Sequence, residues 1–312
     1  MKRGKALALA LLLLFALHGA LAAEPFPALN EDGFLEEGEF VSEDAEEGIW
    51  RYCSDTLWIE IRRVEQKKPA RVWYEAEIRC AEAGDHPHVV ANDPEKSLKG
   101  KREYPYKICR KTRTVLAVTG DFAHNRSGKQ RGIVIRDGVV FGKQYPKKNT
   151  KGYFPNRDCL AIWPDGDMQV FYSDEKTPDD YLAEGVRDVM CFGPLLIRDG
   201  ELNEAGIKLF GNSHAQRVAV GMVEKGHYWF MVLEGRLKRS SGDDVGFLGE
   251  KLLEKGCVLG FNLDGGVSAG MVFMGHQLNL VKEGKKHLSA RASPDILGVG
   301  VSELVVNLGD PW

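Results

Sequence analysis

Apolar and polar residues alternate over much of the chain beyond residue 49, which is the pattern of strands that bury one face. The clearest examples are Thr56–Ile61 and Val72–Ile78. Similar patterns predict further strands at Val115–Val118, Gly132–Ile135, Leu160–Trp163, Met168–Tyr172, Val218–Val223 and Tyr228–Leu233. We therefore expect a fold dominated by strands.

Asp-Gly pairs separate several of these strands. Asp137-Gly138, Asp165-Gly166 and Asp199-Gly200 each provide a glycine for the positive φ that a tight hairpin turn requires. The segment Gly132–Gly138 also resembles Gly193–Gly200, since both end in Ile-Arg-Asp-Gly. Either two hairpins occupy related places in the fold, or this tetrapeptide is simply favourable hairpin chemistry.

Helical patterns are few. The clearest covers Asp243–Lys255, with Ser241 as the expected N-cap and Gly256 as the residue that closes the helix. A buried strand, Cys257–Asn262, follows it directly, and Asp179–Val186 forms a second, shorter helical pattern. Together these patterns predict a mixed, strand-rich α/β fold: a single domain with a mixed or largely antiparallel sheet core and few flanking helices.

The first 23 residues have the three parts of an export signal. Three basic residues among the first five precede the apolar stretch Ala6–Leu17, and the small-residue run Ala20–Ala23 follows it. We expect this segment to be removed and the mature protein to be secreted or extracytoplasmic. No later run approaches the ~18 apolar residues of a membrane span, and the first cysteine, Cys53, lies too far along for a lipoprotein signal.

Charge divides the remaining chain near residue 49. Residues 24–48 contain ten Asp or Glu and no Lys or Arg, so we interpret them as a solvated acidic leader or spacer. Residues 49–312 hold 39 basic against 35 acidic residues without a Pro- or Ser-rich linker, which predicts one domain. With a formal net charge of −3, the whole chain lacks the basic surface expected of a general nucleic-acid binder.

The six cysteines are compatible either with disulfides or with unpaired thiols. An even number in an exported protein permits up to three disulfides, with 15 connectivities, and a buried unpaired cysteine behaves as a small apolar residue. Their spacing contains no C-x-x-C pair, so we predict no metal and no other cofactor. The cysteines are Cys53, Cys80, Cys109, Cys159, Cys191 and Cys257.

The strongest chemical signal is the segment Asn262-Leu263-Asp264-Gly265-Gly266-Val267-Ser268. Asp264 comes directly after a predicted strand, at the kind of strand end where ligand sites of α/β folds occur. Two glycines beside an acid let the backbone approach a ligand closely, and their N–H groups can face an anion. The alternative is an ordinary Asp-Gly turn between strands.

Several segments recur in the order of a known family. They are Thr119–Ala123, Gly132–Gly138, Phe192–Gly200, Arg217–Gly221, Glu234–Arg236 and Asn262–Ser268. In this order, from Ile108 to Val301, the chain resembles the phosphodiester glycosidases. It departs from that pattern at four positions: Thr119 replaces Asn, Ala123 an aromatic residue, Glu234 an Asp and Val267 a glycine.

The resemblance implies hydrolysis of the bond between a sugar anomeric carbon and a phosphodiester oxygen. Asp264 would be the principal catalytic carboxylate, and Asp121 or Glu234 the second. Arg217 would hold the phosphate, with Arg236 as second choice. Asn262 and Ser268 would orient Asp264 or the sugar hydroxyls, the Gly265 and Gly266 amides would support the anion, and Gly193 would lie among the substrate-binding residues.

The expected partner is a phosphorylated glycan or other glycosyl phosphodiester, such as a cell-wall, capsular or exopolysaccharide glycan. Two other functions stay open. A non-catalytic glycan- or phosphoglycan-binding module on the same fold would account for the four departures. A phosphodiesterase that cuts the P–O bond would usually require a metal, for which we find no ligand cluster. The patterns do not address oligomeric state.

Overall fold

Four of the alternating segments, together with five further strands, build one large antiparallel sheet through the centre of the molecule. This computed structural model describes residues 25–120, 132–143, 154–282 and 289–305. In spatial order, the nine strands are β1 (Phe40–Asp44), β2 (Ile49–Cys53), β3 (Leu57–Lys67), β4 (Ala70–Cys80), β15 (His227–Leu233), β14 (Arg217–Glu224), β16 (Leu259–Leu263), β12 (Leu195–Arg198) and β13 (Glu201–Leu202).

The edge strand β1 comes from the acidic segment. Phe40 pairs with Cys53 and Asp44 with Ile49 in an antiparallel register, and Phe34 further upstream is buried. The interpretation of residues 24–48 as a solvated leader is therefore wrong for this part of the segment. An edge strand has one hydrogen-bonded neighbour and an open side, so it accommodates charged residues that composition alone assigns to a spacer.

Two smaller antiparallel sheets complete the strand framework. The first contains, in spatial order, β10 (Met168–Phe171), β9 (Cys159–Ile162), β11 (Asp188–Cys191), β7 (Ile133–Arg136) and β8 (Val139–Lys143). The second contains β18 (His276–Gln277), β17 (Met271–Phe273), β6 (Thr114–Thr119), β19 (Asp295–Val301) and β5 (His88–Ala91). The expectation of a strand-rich, mixed fold is confirmed.

Apolar side chains cover both faces of the central sheet. One face, with residues such as Ile61, Val220 and Phe261, packs against both smaller sheets in one continuous core. The opposite face, with Ala219 and Met231, forms a second core with the two helices that contain Ile207 and Leu248. The middle strands β14 and β16 are therefore buried on both sides, which holds the residues at their ends in defined positions.

Four short helices lie within the described ranges: α1 (Pro105–Thr112), α2 (Pro178–Ala183), α3 (Glu204–Phe210) and α4 (Val245–Glu254). The helix predicted at 243–255 begins later because Asp244, not Ser241, is its N-cap: the Asp244 carboxylate accepts the Gly246 N–H at 2.8 Å. Of the helices in these ranges, none has the length and apolar character to cross a membrane.

The two similar Asp-Gly segments both form hairpin turns. Asp137 and Gly138 have φ of 47° and 70°, and Asp199 and Gly200 have φ of 54° and 77°. Both pairs thus provide the two positive φ angles of a type I′ turn. One turn joins β7 to β8 and the other joins β12 to β13, in different sheets. The similarity therefore reflects turn chemistry.

Candidate functional site

Three predicted site residues lie at one end of the central sheet. In β14 and β16, Val218 is opposite Leu263, and Asp264 follows as the first residue beyond the strand. In β14 and β15, Arg217 is opposite Leu233, and Glu234 follows in the same way. Antiparallel pairing thus brings together the start of β14 and the carboxyl ends of its two neighbours, which are far apart in the sequence.

The glycines after Asp264 allow the loop to fold back onto β14. A Cβ atom on Gly265 would lie 2.5 Å from the Gln216 carbonyl oxygen. Gly266 has a φ of 59°, and its N–H donates to the same carbonyl at 2.9 Å. The Gly266 amide was predicted to support an anion, but it is already bound to protein. Asp264 itself is 8% exposed at this turn.

Thr119, at the end of β6, connects this loop to the second small sheet. Its hydroxyl donates to the Ser268 carbonyl and accepts the Gly270 N–H at 2.9 Å. The Thr119 N–H donates to the Gly270 carbonyl at 3.0 Å. The departure at Thr119 therefore supplies the hydroxyl that holds the loop. Val267 is also accommodated, because in this stretch Gly266 takes the positive φ.

Asn262 stabilises a neighbouring turn. It is 1% exposed, and its Nδ2 donates to the Gly193 carbonyl at 2.7 Å. Gly193 has a φ of 75°, and a Cβ atom there would lie 2.1 Å from the Pro155 carbonyl oxygen. Both residues were predicted to face the substrate or Asp264. In the structure they instead bind each other and position the backbone that leads into β12.

Arg217 is buried, and backbone groups hold its guanidinium. Its Nε donates to the Asp243 carbonyl at 3.1 Å, and its Nη2 donates to both the carbonyl and the hydroxyl of Ser213. The guanidinium also lies over the Phe210 ring. Burial lowers the pKa of Arg217 and the charge of Arg236 acts in the same direction, whereas the carboxylates of Asp244 and Asp243 oppose this shift. Arg217 is thus a fixed positive charge beside the Asp264 loop.

Arg236 provides the exposed positive charge of the site. It follows β15 in a left-handed conformation with a φ of 57°. A Cβ atom on Gly266 would lie 4.0 Å from its Nη1, so the guanidinium reaches the Asp264 loop. None of the residues that the structure describes accepts a hydrogen bond from this guanidinium. Of the two arginines predicted to hold a phosphate, Arg236 is thus the exposed one and Arg217 the buried one.

The Glu234 carboxylate is fully engaged by the protein. It is 0% exposed, and Arg239 donates to it through Nε at 2.7 Å and Nη2 at 2.5 Å. The Leu280 N–H donates to the same carboxylate at 2.7 Å. This geometry is typical of a positioning group rather than of a nucleophile or base. Sequence reasoning missed Arg239, whose only signal was a basic residue soon after a motif acid.

Asp121, the other predicted second carboxylate, lies outside the described residues. Over the described ranges, no group of three or more His, Cys, Asp or Glu side chains could hold a metal ion. The described site therefore consists of Asp264 on a glycine-containing loop, the buried Arg217, the exposed Arg236 and the Glu234–Arg239 pair.

The match to a family model agrees with this arrangement. Residues 112–300 match the model described as phosphodiester glycosidase, which is more than half of the 312-residue chain. The chain belongs to the phosphodiester glycosidase family. Asp264, Arg217, Arg236 and Glu234 all lie inside the matched range.

The chain is also similar to two individual proteins. The SPbeta prophage-derived uncharacterized protein YomE of Bacillus subtilis (strain 168) is 28% identical over 196 residues, which is 62% of this chain and 30% of that protein. The chain thus spans less than a third of that curated relative. The catalytic domain of zebrafish N-acetylglucosamine-1-phosphodiester alpha-N-acetylglucosaminidase, auto-inhibited by its pro-peptide, has a TM-score of 0.61 at 18% identity, covering 79% of this chain and 84% of that one. This similarity shows a shared fold.

Proposed function

We propose that the protein is an exported hydrolase that cleaves the bond between a sugar anomeric carbon and a phosphodiester oxygen. The observation that carries the proposal is that Asp264 directly follows β16, Arg217 begins the neighbouring strand β14, and the Arg236 guanidinium lies against the Asp264 loop, all within the range that matches the family. A carboxylate beside guanidinium groups suits a substrate that joins a developing positive sugar carbon to a negative phosphate.

Asp264 acts on the anomeric carbon in this proposal. The C–O bond to the phosphate breaks through an oxocarbenium-like transition state, which a carboxylate stabilises, attacks or supplies with activated water. The leaving group, which is now a phosphomonoester, keeps the electron pair of that bond. Arg236 contacts its oxygens, and the buried charge of Arg217 stabilises the developing anion at short range. A phosphate leaves readily, so the reaction depends less on a general acid than ordinary glycoside hydrolysis does.

Glu234 and Asn262 act through the groups that they hold. Glu234 fixes Arg239 and the Leu280 backbone next to the Asp264 loop, and Asn262 fixes the Gly193 turn. Fixed surroundings matter because catalysis requires the reacting groups to stay near the productive geometry. We assign both residues a positioning role.

The proposed substrate class is a phosphate-linked glycan outside the cytoplasm. The export signal predicted in the first 23 residues supports this location. Cell-wall, capsular and exopolysaccharide glycans with glycosyl phosphodiester bonds belong to this class.

A second candidate function is binding without cleavage. The observation that favours it is the state of Glu234: Arg239 and the Leu280 N–H occupy its carboxylate. Glu234, one of the two residues expected to act as the second carboxylate, is thus held by protein groups. A binding module would retain the arginines and the glycine-containing loop without turnover.

Release of free sugar from synthetic α-glycosyl phosphodiesters tests the proposal. Turnover in heavy-oxygen water should place the label in the sugar, because water enters at the anomeric carbon. Label in the phosphate would mean P–O cleavage and contradict the proposed bond. Saturable binding of the same compounds without sugar release would contradict hydrolysis and support the binding module.

A further inference from the structure

Two cysteines face each other across neighbouring strands of the first small sheet. β9 and β11 are antiparallel, and their register places Cys191 directly opposite Cys159. Opposed residues in such a pair point to the same face, with Cα atoms about 4.5 or 5.5 Å apart. Both separations fall in the range of about 4.4–6.8 Å that a disulfide requires. The backbone is thus already arranged for a crosslink.

The two sulfur atoms also lie near the same backbone carbonyl oxygen. Sγ of Cys159 lies 3.6 Å from the Arg157 carbonyl oxygen, and Sγ of Cys191 lies 3.4 Å from the same oxygen. The side chain of Cys191 needs the space left by Gly132, where a Cβ atom would lie 2.0 Å from this sulfur. Thiols are weak hydrogen-bond donors, so replacing these contacts by a covalent bond removes little stabilisation.

The other four cysteines lack this arrangement. All six are buried thiols in the described part of the chain. Cys53 and Cys80 lie on β2 and β4, which are separated by β3. Strands two positions apart are about 9–10 Å from each other, which is beyond the reach of a disulfide. Cys109 lies within α1 and Cys257 follows α4, and neither is opposite a cysteine in any described strand pair.

We propose that Cys159 and Cys191 form an intramolecular disulfide when the chain folds in an oxidising compartment, while the other four cysteines remain thiols. The compartment rests on the export proposed above. One S–S bond forms, the two thiols lose two protons and two electrons, and a disulfide oxidant accepts them and becomes two thiols. Both cysteines are 1% exposed in the folded protein, so the bond forms while the sheet assembles.

The crosslink would reinforce a turn that contacts the site. Cys191 precedes Gly193 by two residues, and the Gly193 carbonyl accepts the Asn262 side chain. Cys159 follows Asp158, whose carboxylate accepts a backbone N–H just beyond the same turn at 3.0 Å. A disulfide therefore ties together the two strands that hold this turn against β16.

Peptide mapping of the full chain tests the pairing directly. The protein is unfolded, refolded in a buffer of reduced and oxidised glutathione, alkylated in denaturant and digested. We expect a Cys159–Cys191 linked peptide that reductant removes, with the other four cysteines alkylated. Alkylation of both Cys159 and Cys191 in the refolded, oxidised protein would overturn the proposal, and so would a link from either to another cysteine.

Thermal unfolding provides a second readout. Reductant should lower the Tm of the oxidised wild type by roughly 5–10 °C, because it removes a crosslink that restricts the unfolded chain. The double variant Cys159→Ala, Cys191→Ala should not respond to reductant, whereas Cys257→Ala should respond as the wild type does. An unchanged wild-type Tm would contradict the crosslink. Neither readout uses turnover, so failure here is distinguishable from failure of the proposed hydrolase.

Discussion

Arg217 and Arg236 carry the same charge in opposite environments. Arg217 is buried, and its hydrogen bonds to Asp243 and Ser213 hold it in place. Arg236 is exposed beside Gly266. A buried, fixed charge acts through the local potential, and an exposed guanidinium can bind phosphate oxygens with two parallel hydrogen bonds. The roles proposed for the two arginines can therefore be tested separately.

The proposed contact between the Arg236 guanidinium and the substrate phosphate is tested by Arg236→Ala. We expect kcat/KM for a glycosyl phosphodiester to fall about ten- to a hundredfold, because a charge-assisted hydrogen bond to phosphate is lost. Arg236→Lys should recover part of the loss, since it restores the charge without the fork. Arg62→Ala, which removes an exposed arginine on β3, should leave kcat/KM unchanged. Equal effects of Arg236→Ala and Arg62→Ala would contradict this assignment.

A different outcome is expected for Glu234→Gln. Its buried contact with Arg239 is weakened, so the free energy of unfolding should fall by about 2–4 kcal/mol in urea denaturation. Glu254→Gln, at the exposed ion pair with Lys251, should change it by less than about 0.5 kcal/mol. Glu234 would be a catalytic residue instead if stability were unchanged while kcat collapsed.

Sequence motifs located these residues but did not assign their functions. Asp264 and Glu234 both looked like catalytic acids because each is an acid next to a glycine in a matched segment. The Glu234 carboxylate differs because groups outside its own segment donate hydrogen bonds to it. These groups are Arg239, five residues on, and the Leu280 N–H, 46 residues on. Hydrogen bonds that depend on tertiary folding have no local pattern, so the sequence could not reveal them.

The site depends on how β6 and the loop after β16 are joined. The Thr119 hydroxyl bonds both the Ser268 carbonyl and the Gly270 N–H. These two bonds connect the central sheet to the second small sheet at the end where Asp264 lies. The loop is thus held from two sides, by Thr119 and by the Gln216 carbonyl.

Thr119→Val should remove this connection while keeping the shape of the side chain. We expect the free energy of unfolding to fall by about 1–2 kcal/mol and kcat to fall about ten- to a hundredfold, because buried backbone groups lose their partner and the loop moves. Thr119→Ser keeps the hydroxyl and should restore most of both. If serine were no better than valine, the hydroxyl would not be what holds the loop.

Local patterns predicted about half of the described strands and two of the four described α-helices, since alternation and capping act within a few residues. They predicted neither the order of strands nor the edge strand β1. Strand order follows from packing between distant segments, such as the pairing of β4 with β15. The acidic residues of β1 hid its strand character, because an edge position tolerates a composition typical of spacers.

Buried cysteine thiols are expected to make the folded protein less stable at alkaline pH. Burial raises the pKa of Cys53 to about 11 and that of Cys80 and Cys257 to about 12, above the ordinary value of 9.0. Such thiols ionise more readily in the unfolded chain than in the folded one. Their stabilising contribution is complete below about pH 9 and is lost as pH rises toward 11–12.

The urea concentration at the midpoint of unfolding should therefore decrease as the pH is raised from about 8 to about 10.5. Other groups also lose protons in this window, so the informative quantity is a difference between proteins. Cys53→Ala removes one of the buried thiols and should show a smaller fall than the wild type over the same interval. A fall that is equal or larger in Cys53→Ala would contradict the account of alkaline unfolding.

The proposed role of Asp264 in hydrolysis of a glycosyl phosphodiester is tested by the kcat of Asp264→Asn on an α-glycosyl phosphodiester that the wild type cleaves. We expect a loss of about a thousandfold or more with an unchanged Tm. The control Asp199→Asn, which makes the same charge change in an exposed hairpin turn, should keep wild-type kcat. Turnover by Asp264→Asn within about tenfold of the wild type would contradict the claim.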